Sequence, residues 1–189
     1  MEALLTSTAV VALAEIGDKT QLLAIVLATR FKRPVPIVLG ILVATLANHF
    51  LAALVGVQAA SLLEGQWFRY LVAASFILMA GWTLIPDTFD EDEARPSRFG
   101  AFLTTLIAFF FVEMGDKTQI ATIALGAQFH SVLAVMSGST LGMMIANVPA
   151  VYLGNELIKR IPLTTVRIVT ALLFLVIGVW LLLQTAGLL

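Results

Sequence analysis

Apolar runs near residues 3–28, 35–57, 69–86, 100–126, 132–154 and 168–187 alternate with short polar breaks, and each predicts one membrane-spanning helix. A hydrocarbon core about 30 Å thick takes roughly 20 helical residues to cross. The one strongly polar stretch, Asp87 to Arg98, carries Asp90-Glu91-Asp92-Glu93 and then Pro96. It divides the chain into residues 1–86 and 99–189, with 87–98 as an acidic linker. The pattern predicts an all-α integral membrane protein of six transmembrane helices, three on each side of the linker.

The two parts are copies. Glu15-Ile16-Gly17-Asp18-Lys19-Thr20-Gln21 returns as Glu113-Met114-Gly115-Asp116-Lys117-Thr118-Gln119, and the same offset of 98 residues pairs Ile25 with Ile123, Gly40 with Gly138, Arg69 with Arg167, and Phe76 with Phe174. Asn48 and Asn147 align after a one-residue slip. Three spans per copy force the second to enter the membrane from the opposite face. The expected architecture is two inverted three-helix repeats, the arrangement of many secondary transporters.

Composition agrees with a membrane protein: 60% of residues are hydrophobic and 12% charged, with a mean hydropathy of +1.00. The first run lacks a basic segment ahead of it and carries a polar heptad mid-span, so it is expected to remain as a helix rather than act as a cleaved leader. No cysteine is present, which removes disulfides, thiolate metal sites and a cysteine nucleophile. Arg30, Lys32, Arg33, Arg95, Arg98, Lys159, Arg160 and Arg167 fall on one side of the expected spans, and only Arg69 opposes them. The positive-inside bias puts that side in the cytoplasm and both termini outside, in the cell's inner (plasma) membrane. Gly40, Gly56, Gly81, Gly138, Gly142, Gly154 and Gly178 suit close helix packing in lipid.

The heptads carry the chemistry. Hydrocarbon imposes a large desolvation cost on each carboxylate or ammonium, so intramembrane charges mark function by default. On a continuous helix Glu15 and Asp18 would share one face, with Lys19 one turn after Glu15. Gly17 and Gly115 also allow local unwinding, which would free carbonyl oxygens. Glu15, Asp18, Glu113 and Asp116 are the candidate metal ligands. Thr20, Gln21, Asn48, Thr118, Gln119 and Asn147 are further oxygen donors to the ion or to its ligands, and Lys19 and Lys117 are counter-charges. An all-oxygen set suits Ca²⁺, Mn²⁺ or Mg²⁺, whereas zinc or copper favours His and Cys. Four carboxylates and two ammonium groups sum to −2, which one divalent ion neutralises. Crowded carboxylates in low dielectric can exchange that ion for protons, and such competition produces antiport. His49 is expected to pack or hydrogen-bond, and His130 to lie in an outer loop.

Two Glu-x-Gly-Asp-Lys-Thr motifs, three helices each and an acidic linker resemble the small cation/proton exchanger family, which includes bacterial manganese exporters and Golgi calcium/manganese–proton antiporters. The resemblance covers nearly the whole chain. It implies Glu15, Asp18, Glu113 and Asp116 as the working acids, with Lys19, Thr20, Lys117 and Thr118 as companions. It also implies export of a divalent cation, Mn²⁺ ahead of Ca²⁺, against protons. The partners are then the bilayer, the cation and protons, with no nucleic acid and no cofactor beyond the transported ion. The rival readings are a structural or assembly subunit and a transporter of another cation such as Na⁺. A metal-dependent hydrolase lacks support, for no His-Glu-x-x-His or Gly-x-Ser-x-Gly motif occurs.

Overall fold

A computed structural model of the protein describes residues 1–63, 65–85, 100–154 and 162–189. The acidic linker lies outside the described residues. Those that are described form eight helices: α1 Glu2–Glu15, α2 Lys19–Phe31, α3 Pro34–Leu62, α4 Gln66–Thr83, α5 Ala101–Glu113, α6 Lys117–Phe129, α7 Val132–Leu153 and α8 Leu163–Thr185. No strand occurs among them.

Helices α3, α7 and α8 are each long and apolar enough to cross a membrane singly. Helix α3, at 29 residues, is about 44 Å long at 1.5 Å per residue. The runs expected as continuous spans at 3–28 and 100–126 are instead each divided at the heptad, into α1 with α2 and α5 with α6. The cause is backbone geometry. Gly17 has φ +82° and Gly115 φ +81°, a left-handed conformation that glycine adopts freely and that no α-helix can contain.

The two parts interlock. Helix α1 packs most extensively on α7 and α5 on α3, while α2 also lies on α7 and α6 on α3. Each broken helix is thus braced by the long helix of the other part, and α4 packs against α8. Missing side chains permit the approach. A methyl group at Gly40 would meet the Phe102 carbonyl at 2.8 Å, and one at Gly142 the Thr8 carbonyl at 2.6 Å. Gly81 and Gly154, expected to serve the same purpose, have open space where a side chain would project.

Phe76 and Phe174, which correspond at the 98-residue offset, are both fully buried, with ring centroids 6.1 Å apart. They join α4 to α8 in one apolar cluster with Phe68, Val72 and Leu181. Val10, Ala14, Ala121 and Leu125 extend this cluster to the broken helices.

Candidate functional site

Each heptad folds into the same non-helical link. Helix α1 ends at Glu15, Ile16 is extended at φ −65° and ψ 114°, Gly17 turns left-handed, and Asp18 caps α2 at φ −80° and ψ 167°. Glu113, Met114, Gly115 and Asp116 repeat this course within a few degrees. The amide of Asp18 donates to the Glu15 carbonyl at 3.1 Å, as that of Asp116 does to Glu113.

The glutamine at the third helical position completes the turn. Gln21 Oε1 accepts from the Gly17 amide at 2.9 Å, and Gln119 Oε1 from the Gly115 amide at 2.6 Å. This resembles the capping-box reach of a Gln side chain back over a helix start. Gln21 Nε2 also donates to the Ala146 carbonyl at 3.0 Å, and Gln119 Nε2 to Asn48 Oδ1 at 3.4 Å. Both glutamines, expected as oxygen donors, hold the link and tie it to a long helix.

The heptads meet, and they do so crosswise. Lys117 Nζ lies 2.8 Å from Asp18 Oδ1, and Lys19 Nζ lies 3.3 Å from Asp116 Oδ1. The expectation that Lys19 shares a helix face with Glu15 gives way to pairing between heptads, because the break separates the two residues. One carboxylate oxygen from each of Glu15, Glu113 and Asp116 lies within 4.8 Å of the other two. All three residues are buried. Thr20 Oγ1 donates to Glu15 Oε2 at 2.5 Å and Thr118 Oγ1 to Glu113 Oε2 at 3.0 Å. Glu15 Oε1, Glu113 Oε1 and Asp116 Oδ2 are buried without a hydrogen-bond partner among the described residues. Buried carboxylate oxygens left so are costly unless a cation or a proton joins them. The starts of α2 and α6 add the positive ends of two helix dipoles beside these acids.

The long helices differ from expectation in register. Burial along α3 and α7 repeats at an offset of 98 with no slip, Gly40, Ala44 and Asn48 answering to Gly138, Gly142 and Ala146. Asn147 therefore stands opposite His49, not Asn48. Asn48 is committed at both ends, donating from Nδ2 to the Phe110 carbonyl at 2.8 Å while Oδ1 receives Gln119. Asn147 Nδ2 donates to the Met143 carbonyl at 3.2 Å and contacts its Sδ at 2.8 Å, with Oδ1 lacking a partner among the described residues. Both ring nitrogens of fully buried His49 also lack a partner among the described residues. His130 caps α6 in a left-handed conformation at φ 51°, as Lys32 caps α2 at φ 52°.

Residues that the sequence reading passed over complete the surroundings. Thr83, Arg167 and Thr170 line a hollow of about 10 Å³ with Gly17, Asp18 and Lys117, space for roughly one water. The sequence marks Arg167 only as a topological charge and as the repeat counterpart of Arg69. Its proximity to a heptad comes from the packing of α8 on α1, which no local pattern encodes. The matching hollow beside Lys19 and Met114 holds about 410 Å³.

The model of the family described as divalent cation/proton antiporter GDT1 matches residues 3–91 and 101–188. A candidate manganese exporter of Vibrio cholerae is 50% identical over 94% of this chain and 89% of its own length. A GDT1-like protein of Synechocystis is 30% identical over 89% of this chain and 91% of its own. One of Arabidopsis thaliana is 29% identical, with 92% of each chain covered. No solved structure matches the chain.

Proposed function

Since the chain belongs to the divalent cation/proton antiporter family GDT1, a family of multi-pass membrane transporters, we propose that it exports Mn²⁺ from the cytoplasm in exchange for protons. The ion is held by Glu15, Glu113 and Asp116, with Asp18 as the fourth acid of the cluster. The preference for Mn²⁺ rests on the candidate manganese exporter of Vibrio cholerae at 50% identity. Oxygen ligands alone would serve Ca²⁺ as well.

The observation that carries this reading is the convergence of both heptads on one buried spot. Their ammonium groups are already matched, Lys117 to Asp18 and Lys19 to Asp116. Glu15 and Glu113, when ionised, are two unmatched negative charges, each with one oxygen held by its own threonine and the other without a hydrogen-bond partner among the described residues. One divalent ion balances them, and so do two protons. The site therefore travels loaded with either, and an exchange of one ion for two protons moves no net charge. Each uncompensated charge would otherwise be worth about 2.3 kcal/mol per 100 mV of membrane potential.

Residues 1–86 and 99–189 form the two inverted repeats of this reading, with 87–98 as a cytoplasmic linker and six spans in all. The broken helices α1–α2 and α5–α6 each count as one span. Their equal backbone links and crossed bracing support the inversion, and the placing of Arg30, Lys32 and Arg33 after α2 supports termini outside the inner membrane. Thr20 and Thr118 orient the glutamates, and Gln21, Gln119 and Asn48 hold the links open.

Purified protein in liposomes, offered Mn²⁺, Ca²⁺, Mg²⁺ or Na⁺ while lumenal pH is recorded, tests the proposal. Mn²⁺ movement with counter-movement of about two protons per ion, insensitive to an imposed potential, is expected. Acidifying the side from which metal loads should weaken apparent metal affinity by about a hundredfold per pH unit once protons fill the site. Metal flux without proton movement would reject antiport, and no flux at all would favour a structural role.

A further inference from the structure

The two faces of the molecule differ at positions that correspond 98 residues apart. Thr83, Arg167 and Thr170 line the hollow of about 10 Å³ over the first heptad. Their counterparts Leu181, Arg69 and Val72 line a separate cavity of about 480 Å³ between the starts of α4 and the ends of α6 and α8. The start of α8 lies closed on α1. A side chain at Gly17 would run into Leu163 Cδ2 at 2.6 Å, and Thr170 Oγ1 lies 2.9 Å from both the Leu13 carbonyl and the Val166 carbonyl of its own helix, sharing its one proton between a contact to α1 and one within α8.

Among the described residues nothing comparable covers the second heptad. Gly115 has no atom within 4 Å of where its side chain would be, and the residue matching Leu163 is Gly65. Val72, in place of Thr170, has no hydroxyl to donate. Helix α4 packs on α6, and its start shares a cavity with the end of α6. Helices α4 and α8 are bound to each other closely, with Gly178 fitted against the Ala73 carbonyl and Ile77, so they are able to shift as one body.

We propose that the α4–α8 pair is the gate of the exchange, closed over the first heptad by the Leu163 plug and the Thr170 latch and withdrawn from the second. Leu163 and Thr170 are positioning residues that touch neither ion nor proton. They set which face the resting molecule opens. Rocking the pair would lift Leu163 from Gly17 and bring the start of α4 over Gly115. The proposal rests on the exchange reading, because a molecule that carries nothing has no use for a gate.

The absence of cysteine makes a direct test possible without altering the background. Thr83→Cys and Leu181→Cys, one in each cavity, are made singly and exposed in lipid nanodiscs to a cationic methanethiosulfonate reagent. Leu181→Cys should react and Thr83→Cys should be protected. Adding Leu163→Ala should speed Thr83→Cys by about tenfold or more, from the loss of a half-buried leucine's contact with Gly17, and slow Leu181→Cys in step. Leu163→Met should keep the protection. If Leu163→Ala fails to fold, Thr170→Val loosens the latch and should give the same reciprocal change. Equal reactivity at both cysteines in the parent would overturn the proposal. So would faster labelling of Thr83→Cys with Leu181→Cys unchanged, which would mean a hole and not a gate. Labelling requires no flux, so a failure here is distinct from a failure of metal exchange in liposomes.

Discussion

At the first heptad Asp18 meets Lys117 at 2.8 Å, and the lysine side chain is 4% exposed. At the second, Asp116 meets Lys19 at 3.3 Å, and that lysine is 23% exposed beside an open hollow. The links themselves share dihedral angles, capping and, but for Ile16 against Met114, sequence. Local chemistry is therefore common to both, while access belongs to the elements packed around them. Equal links inside unequal surroundings suit an exchanger, in which the same groups serve whichever face is open.

Removing the lysines should separate the two surroundings most sharply. Lys117→Ala takes the ammonium partner from buried Asp18, and breaking a buried pair costs about 3–5 kcal/mol. Lys19→Ala acts on a pair that is longer and less buried and should cost clearly less. Thermal unfolding of both variants in detergent checks the order, and equal losses would break the comparison.

The glutamates should show the opposite behaviour. Glu15→Gln and Glu113→Gln should each lower Mn²⁺ flux in liposomes about a hundredfold or more, since losing even an outer partner of a metal ligand costs 10–100-fold. The two losses should agree, because both residues lie in the shared cluster. A large effect from one with little from the other would assign the ion to a single heptad.

Smaller effects are expected at the glycines. Gly17→Ala and Gly115→Ala both force alanine into a left-handed conformation, at a cost of about 1–2 kcal/mol. Gly17→Ala must in addition displace Leu163, so it should destabilise slightly more while raising access to the first heptad. Melting temperatures of the pair read the first effect, and labelling of Thr83→Cys reads the second.

Much of the site was legible in advance because polar residues inside apolar runs carry a cost that demands a reason. Glu15, Asp18, Glu113 and Asp116 stood out on that ground, and the repeat indicated that they should meet. The division of the first and fourth runs was half legible: Gly17 and Gly115 allow it, but a glycine is also compatible with a helix. Gln21 and Gln119 were read as oxygen donors because sequence spacing does not tell a capping amide from a ligand. The slip that paired Asn48 with Asn147 followed residue type, whereas burial pairs Asn147 with His49, since packing preserves the face of a helix and not the identity of one side chain.

The sequence by itself determined an apolar helical chain, its duplication, and the seven residues that build each link, because these depend on desolvation cost and on the conformational freedom of glycine, both local properties. Tertiary structure alone decided that the lysines pair across the heptads and that Leu163 and Thr170 lie over one link while no described residue covers the other in the same way. Those contacts join residues far apart in the chain, and their geometry depends on how α4 and α8 settle against the rest, which no short stretch of residues encodes.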